Sequence, residues 1–304
     1  MNGADGEDNS GPRGRDIALY IAVVLMWGST WIALRFQVEN VAPSVSLLFR
    51  FMIAAPLMFA WAAVRKEPLR FDRKAHMSFA TLGLCLFSGN FLFLYTAAMS
   101  ITSGLLAVVF STASLMNILN GALWLKSPVS ARQILGGLLG FGGLGLVFWP
   151  EIAGVKDFTA IISGLLFALL GTFFFSLGNM SSARAQKRRL PLLPTTAWGM
   201  AYGCLVLLGY VLASGADIHF DPRPVYVISL VYLALIGSVA AATAYLSLLG
   251  RIGPTAAAYT TVLYPVVALG ISTIFEGYAW TWPAISGLTL VFSGNLIVLR
   301  RGKA

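Results

Sequence analysis

Charge is what this sequence has least of. Of 304 residues, 11% are Asp, Glu, Lys or Arg, while 58% are hydrophobic and the mean hydropathy is +0.79. Soluble domains carry about 25% charged residues because their surfaces face water, so a soluble globular protein is excluded. Cysteine is also scarce. Cys85 and Cys204 both lie in apolar runs and read as small buried thiols, which excludes a disulfide framework. The two histidines, His76 and His219, fall at the rims of apolar segments. No HExxH, GxSxG or intramembrane aspartate pair occurs, so an intramembrane enzyme, a metal site and a cofactor are not expected. The charged rings of a selective channel are missing as well. All twelve acids sit in tails, connections or at the ends of apolar runs, leaving no embedded carboxylate to titrate or to neutralise a cationic cargo.

What the chain does have is apolar length. A hydrocarbon core about 30 Å thick takes roughly 20 residues of helix. Ten such runs follow one another: 17–36, 44–64, 76–98, 102–125, 131–149, 158–182, 191–214, 224–249, 254–275 and 281–299. The fifth, in ILGGLLGFGGLGLVFWP (134–150), holds six glycines and no charge. In lipid the cost of unsatisfied backbone groups keeps such a helix intact, and small residues let helices approach closely. Gly136, Gly140 and Gly143 fall on one face of it.

Of the 21 lysines and arginines, seventeen fall in the tails and in alternate loops on the N-terminal side, and two, Lys156 and Arg223, on the other; Arg35 and Arg50 lie within or at the edge of runs. Cations are retained in the cytoplasm. Both termini are therefore expected inside, with 1–16 and 300–304 as cytoplasmic tails, the first disordered and too acidic for a signal peptide. The net charge of +9 reflects this orientation, and no nucleic-acid partner is expected.

Shifted by about 150 residues, the chain overlies itself. SGLLAVVFSTASLMNILNGALWLKS (103–127) falls over GPTAAAYTTVLYPVVALGISTIFEG (253–277), Gly136 over Gly287 and Gly143 over Gly294. Each half, 17–149 and 158–299, holds five spans. Five is odd, so the second half enters the bilayer from the opposite side. The fold class is all-α integral membrane, ten transmembrane helices as two inverted five-helix repeats, an architecture that places a substrate site near the midplane between the halves.

The five-plus-five arrangement, LMWGSTW (25–31), LLFRF (47–51) and the IGP…YP…E pattern at 252–276 resemble the drug/metabolite transporter superfamily, EamA-type branch, and within it the YddG-type exporters of aromatic amino acids. The resemblance implies a bacterial inner-membrane exporter with a cavity between its halves. Two departures stand out. LWLKS (123–127) replaces the glycine–glutamate pair common at that place, so only Glu276 matches, and Ser114 stands where the second half has Pro265.

Candidate residues divide between binding and packing. Arg50 either forks onto a substrate carboxylate, or snorkels to the interface or bonds backbone carbonyls. Asn90 and Tyr95, an amide and a phenol in one span, together suit an amino acid's two charged ends without supplying a charge; the alternative for the amides is bridging helices. Asn179 falls over Ser29 under the repeat shift. Trp27, Tyr245 and Tyr264 line an aromatic cavity or else sit in packing and interfacial belts. Pro265 is expected to kink the ninth span by clashing with the Thr261 carbonyl. Spans one, three, four, six, eight and nine should line the cavity, with five and ten packing through glycine.

The function expected is uncoupled, alternating-access export of small amphipathic metabolites, aromatic and hydrophobic amino acids first, through a pocket without permanent charge. The alternative is proton-coupled export of nucleobases, vitamins or lipophilic drugs. The bilayer and the small-molecule cargo are the expected partners, the chain acting as a monomer or weak homo-oligomer.

Overall fold

The computed structural model describes residues 14–125, 130–154 and 158–299. The terminal tails expected at 1–16 and 300–304, beyond residues 14–16, lie outside the described residues, as do Lys126 and Lys156. All regular structure among the described residues is helical. The helices are α1 (Gly14–Gln37), α2 (Pro43–Val64), α3 (Arg73–Ala97), α4 in two pieces (Ser103–Phe110 and Ala113–Leu125), α5 (Ala131–Gly154), α6 (Phe158–Lys187), α7 (Leu192–Ser214), α8 (Pro224–Ile252), α9 in two pieces (Pro254–Ala258 and Thr260–Phe275) and α10 (Trp282–Leu299). Eight of these stretches are long and apolar enough to cross a bilayer; Thr260–Phe275 and Trp282–Ile297 are shorter apolar helices.

Local chemistry sets the ends. Pro43 and Pro224 open α2 and α8, where a missing N–H costs nothing. Asp72 caps α3 by accepting from the Ala75 amide at 2.9 Å. Gly253, at φ +86°, turns the chain in one residue from α8 into α9. Large apolar side chains such as Leu138, Leu212, Ile228 and Ile274 face outward, and the span asparagines Asn90, Asn117, Asn120, Asn179 and Asn295 are all buried. This is the inside-out polarity of a protein solvated by lipid.

Helix pairing obeys the repeat. α1 packs on α8 and α9, while α6 packs on α3 and α4; α2 pairs with α7, and α5 with α10. Exchanging the halves maps each pairing onto another or onto itself. At the α5–α10 seam a methyl on Gly143 would meet the Gly287 carbonyl at 2.5 Å, one on Gly287 the Gly143 carbonyl at 2.5 Å, and one on Gly294 the Gly136 carbonyl at 2.5 Å. The glycines that overlie one another in sequence thus cross-contact in space, as a two-fold relation requires.

Two irregularities recur at matching places. α3 is π-helical over Gly83–Gly89 and α8 over Leu233–Ala240, a shift of 150 residues. α4 is interrupted at Ser111–Thr112 and α9 at Tyr259. At each break side-chain hydroxyls take up local carbonyls: Ser111 and Thr112 donate to Val108 and Val109, and Thr260 and Thr261 to Ala257 and Ala258. The ninth span is therefore broken six residues before Pro265, and the helix runs on through the proline. At the break an i→i−3 bond runs from the Val262 N–H to the Tyr259 carbonyl at 3.1 Å.

Candidate functional site

Between the halves lies a narrow cavity with about 40 Å³ of room for the centres of water-sized molecules. Its walls come from α1, α3, α4, α6, α8 and α9, as the sequence leads one to expect, and also from α2 through Arg50. Both π-helical stretches border it, Leu86 and Phe87 from α3, Leu233, Gly237 and Ser238 from α8. π-helical turns are rare and concentrate at functional sites.

One wall is aromatic. Trp27 lies 4.8 Å from Tyr245 between ring centroids, 6.0 Å from Phe175 and 6.1 Å edge-on from Tyr264. Its indole N–H donates to the Gly237 carbonyl of the α8 π-turn at 2.9 Å. Phe110 bridges this group to Trp31, at 4.7 Å from Phe175 and 5.2 Å from Trp31. The indole N–H of Trp31 is buried and has no partner.

The cavity also holds a charge. Arg50 lies on the buried stripe of α2 with Leu47, Phe51, Ala54 and Met58, and is 1% exposed. Its Nε donates to Ser238 Oγ at 2.8 Å and its Nη1 to the Tyr95 hydroxyl at 3.2 Å, while its guanidinium carbon lies 4.4 Å from the centroid of Phe91. The ion pairs among the described residues are all at the rims: Arg223 with Asp221 and Glu39, Arg251 with Asp16, and His219 with Asp217. Two expectations fall here. The pocket does carry a permanent charge, and Arg50 neither snorkels nor bonds backbone carbonyls. Two hydroxyls and an aromatic face supply its environment instead, which becomes visible only once α3 and α8 are placed against α2.

Of the seven residues picked out, Trp27, Arg50, Asn90 and Tyr264 line the cavity. Asn90 donates to the Leu86 carbonyl of its own helix at 3.3 Å, and its side-chain oxygen is buried without a partner. Tyr95 does not share the wall with Asn90. Five residues along an α-helix turn the direction by about 140°, so Tyr95 points at Arg50 from behind. Tyr245 likewise backs Trp27. Asn179 is elsewhere, in an amide chain in which it donates to Asn117 Oδ1 at 3.4 Å and Asn117 to the Pro254 carbonyl at 3.1 Å. That chain ties α6, α4 and α9 together, which is the bridging alternative. Trp31, Phe110, Phe175 and Ser238 were not singled out as site residues; only the four-residue spacing of Trp27 and Trp31 signalled any of them.

Both flanks of the cavity are tied shut on the face poor in cations. Gln37, fully buried, donates to the Tyr226 carbonyl at 2.9 Å and to Ser229 Oγ at 2.7 Å, joining α1 to α8. Ser46 of α2 donates to the Gln37 carbonyl at 2.8 Å. Glu276 accepts from the Ser103 amide with both oxygens, at 3.1 and 3.0 Å, and from the hydroxyls of Ser103 and Ser272, clasping the start of α4 to the end of α9. Nearby, Asp221 accepts from the Arg223 amide and side chain, which holds its carboxyl below the usual carboxylate range. No group of three or more His, Cys, Asp or Glu that could hold a metal occurs among the described residues.

Comparison with known proteins agrees with this architecture. The model of the EamA-like transporter family matches the chain twice, at residues 15–149 and 162–300. A protein of Salmonella typhimurium named "Probable amino-acid metabolite efflux pump" is 23% identical over 292 residues, 93% of this chain and 94% of the relative. The "Uncharacterized inner membrane transporter YedA" of Escherichia coli K12 is 25% identical over 283 residues, 91% of this chain and 89% of the relative. A solved crystal structure superposes with a TM-score of 0.69 at 16% identity, covering 95% of this chain and 97% of the other, a likeness of fold.

Proposed function

We propose a cargo and a mode of action for this chain, which belongs to the EamA-like transporter family and is a multi-pass membrane transporter, not an enzyme. The cargo is a small amphipathic metabolite with a carboxylate and an aromatic or bulky apolar body, a class that takes in the hydrophobic and aromatic amino acids and their derivatives. The observation that carries this reading is the pairing, in one cavity, of an aromatic wall around Trp27 with a buried arginine that has no acidic partner. A guanidinium desolvated among neutral groups is an incomplete charge pair, and a carboxylate completes it.

Transport runs by alternating access between the two repeats, exported from the cytoplasm through the plasma membrane with both termini inside. The cation asymmetry of the loops supports that orientation. No ion is coupled: the described span interiors contain no Asp, Glu or His, and Glu276 at the rim is engaged in hydrogen bonds. Efflux from liposomes loaded with labelled phenylalanine, tryptophan and leucine, against a panel of nucleobases, vitamins and cationic drugs, tests cargo class. Amino-acid flux that persists without a pH gradient is expected. Flux of the panel alone overturns the cargo, and strict dependence on the gradient overturns uncoupled transport.

A further inference from the structure

We infer that the cavity selects monoanionic carboxylates, such as N-acylated or deaminated aromatic acids, over the zwitterionic amino acids of the same skeleton, and that the membrane potential drives their exit. The inference rests on the carboxylate reading just given and sharpens it.

The donors outnumber the acceptors. Arg50 spends Nε and Nη1 on neutral hydroxyls, while its Nη2 borders Gly237, where a methyl group would stand 3.2 Å from it. The glycine on the π-turn thus leaves room at that nitrogen. The Trp31 indole N–H is a buried donor without a partner, and the lone unpartnered acceptor among the described cavity-lining side chains is Asn90 Oδ1. A carboxylate meets Arg50 and Trp31; one neutral N–H satisfies Asn90. An ammonium group fares differently. It brings three donors to a single neutral oxygen, and no acid is among the cavity-lining residues to oppose its charge.

Charge arithmetic points the same way. A monoanion brings the cavity's net charge to zero, whereas a zwitterion leaves it at plus one. With the ammonium about 6 Å from the guanidinium and an effective dielectric of about 20, repulsion amounts to roughly 100-fold in affinity. The hydrogen bond from ammonium to Asn90 offsets part of it, leaving about 10-fold. On the cation-rich face a depression between α3 and α6 is lined by Lys74, Arg184 and Arg188, which favours approach of an anion from that side. Movement of a monoanion out of a cell negative inside is biased about 50-fold per 100 mV, so the carrier needs no titrating residue to export uphill.

Purified full-length protein is tested for binding of N-acetyl-phenylalanine, phenylpyruvate, phenylalanine and phenylalaninamide by calorimetry, and for efflux from liposomes under a potassium–valinomycin potential. The two monoanions should bind about 10-fold tighter than phenylalanine, with the cationic amide weakest, and an inside-negative potential should speed efflux of N-acetyl-phenylalanine and not of phenylalanine. Arg50→Gln should bring the anion-to-zwitterion ratio near one. Trp31→Phe, which keeps the packing and removes the N–H, should cost the monoanions several-fold. Equal or tighter binding of phenylalanine to the wild type overturns the inference while leaving the transporter reading intact, as does a potential-independent N-acetyl-phenylalanine flux. Binding and flux of none of the four compounds overturns both.

Discussion

Replacing Glu276 by glutamine should loosen one end of the transporter. The carboxylate stands at the first turn of α4, whose unpaired amides carry the positive end of the helix dipole, and it is hydrogen-bonded to Ser103 and to Ser272 of α9. Glutamine keeps one acceptor oxygen and loses the charge. Charge-assisted bonds are about twice as strong as neutral ones, so roughly 1 kcal/mol is lost across the contacts with Ser103 and Ser272, and about another 1 kcal/mol with the helix terminus. A loss of about 2 kcal/mol from a state that needs the clasp multiplies the open population at this face roughly 30-fold. In a background of Cys85→Ala and Cys204→Ala, a single Thr30→Cys in the cavity reports the opening through its rate of modification by a membrane-impermeant maleimide. The rate from the Glu276 face should rise by that factor, and Glu276→Asp should fall between glutamine and wild type because its reach is shorter. A folded Glu276→Gln protein labelled within twofold of the parent rate would show that the clasp does not hold this face closed.

Three further outcomes follow from the same geometry. Gly287→Ala should destabilise by about 1–3 kcal/mol, because its methyl would sit 2.5 Å from the Gly143 carbonyl; Gly142→Ala, with nothing within 4 Å, should leave the melting temperature unchanged. In whole cells Asp217→Cys should react with an impermeant thiol reagent while Arg70→Cys is protected, and the reverse pattern would invert the orientation proposed. Asp221 is held below the usual carboxylate range, so its contribution is present above the unfolded value of about 3.8 and is lost only as pH falls through the lower folded one. Acid titration of the wild type should therefore show this rim intact at pH 4–5, and Asp221→Asn should remove its share of the acid-side loss of stability.

Why were the spans and their glycine seam readable, and the site only half so? Span position follows from a composition rule that each residue obeys independently, since lipid accepts apolar side chains wherever they fall. The packing of spans five and ten through glycine was legible because a missing side chain has one structural use at a helix seam, while the crossed pairing of Gly136 with Gly294 and Gly143 with Gly287 needed the structure. The cavity is set by rotation of helices about their axes. Asn90 and Tyr95 share a span and face about 140° apart, and the π-turns that re-aim α3 and α8 have no signature in GLCLFSG or LALIGSVA. Pro265 lies in a span that is also interrupted at Tyr259, where the hydroxyls of Thr260 and Thr261 take up local carbonyls, and no sequence feature had marked that interruption.

The repeat also says where chemistry must be sought. A scaffold that superposes on itself offers each functional position twice, and specificity enters where the two copies differ. Tyr95 and Tyr245 are 150 residues apart, and both are fully buried. The first receives a hydrogen bond from Arg50, but the residue 150 places beyond Arg50 is Met200, equally buried, and the Tyr245 hydroxyl faces the Asn179 amide and no cation. Ser88 and Ser238 are related in the same way: Ser88 bonds the carbonyls of Gly83 and Leu84 in its own π-turn, while Ser238 takes the Arg50 Nε–H. The backbone is thus symmetric and the charge is not. Installing the missing cation, Met200→Arg, places a second guanidinium at the equivalent position of α7, with Tyr245 as its ready-made acceptor. If the asymmetry is what defines one binding pole, that variant should bind monoanions no less tightly and lose the preference for a single carboxylate, admitting dicarboxylates that the parent excludes. A folded Met200→Arg protein with the parent's ratio of mono- to dicarboxylate binding would mean that charge placement between the repeats does not set the cargo.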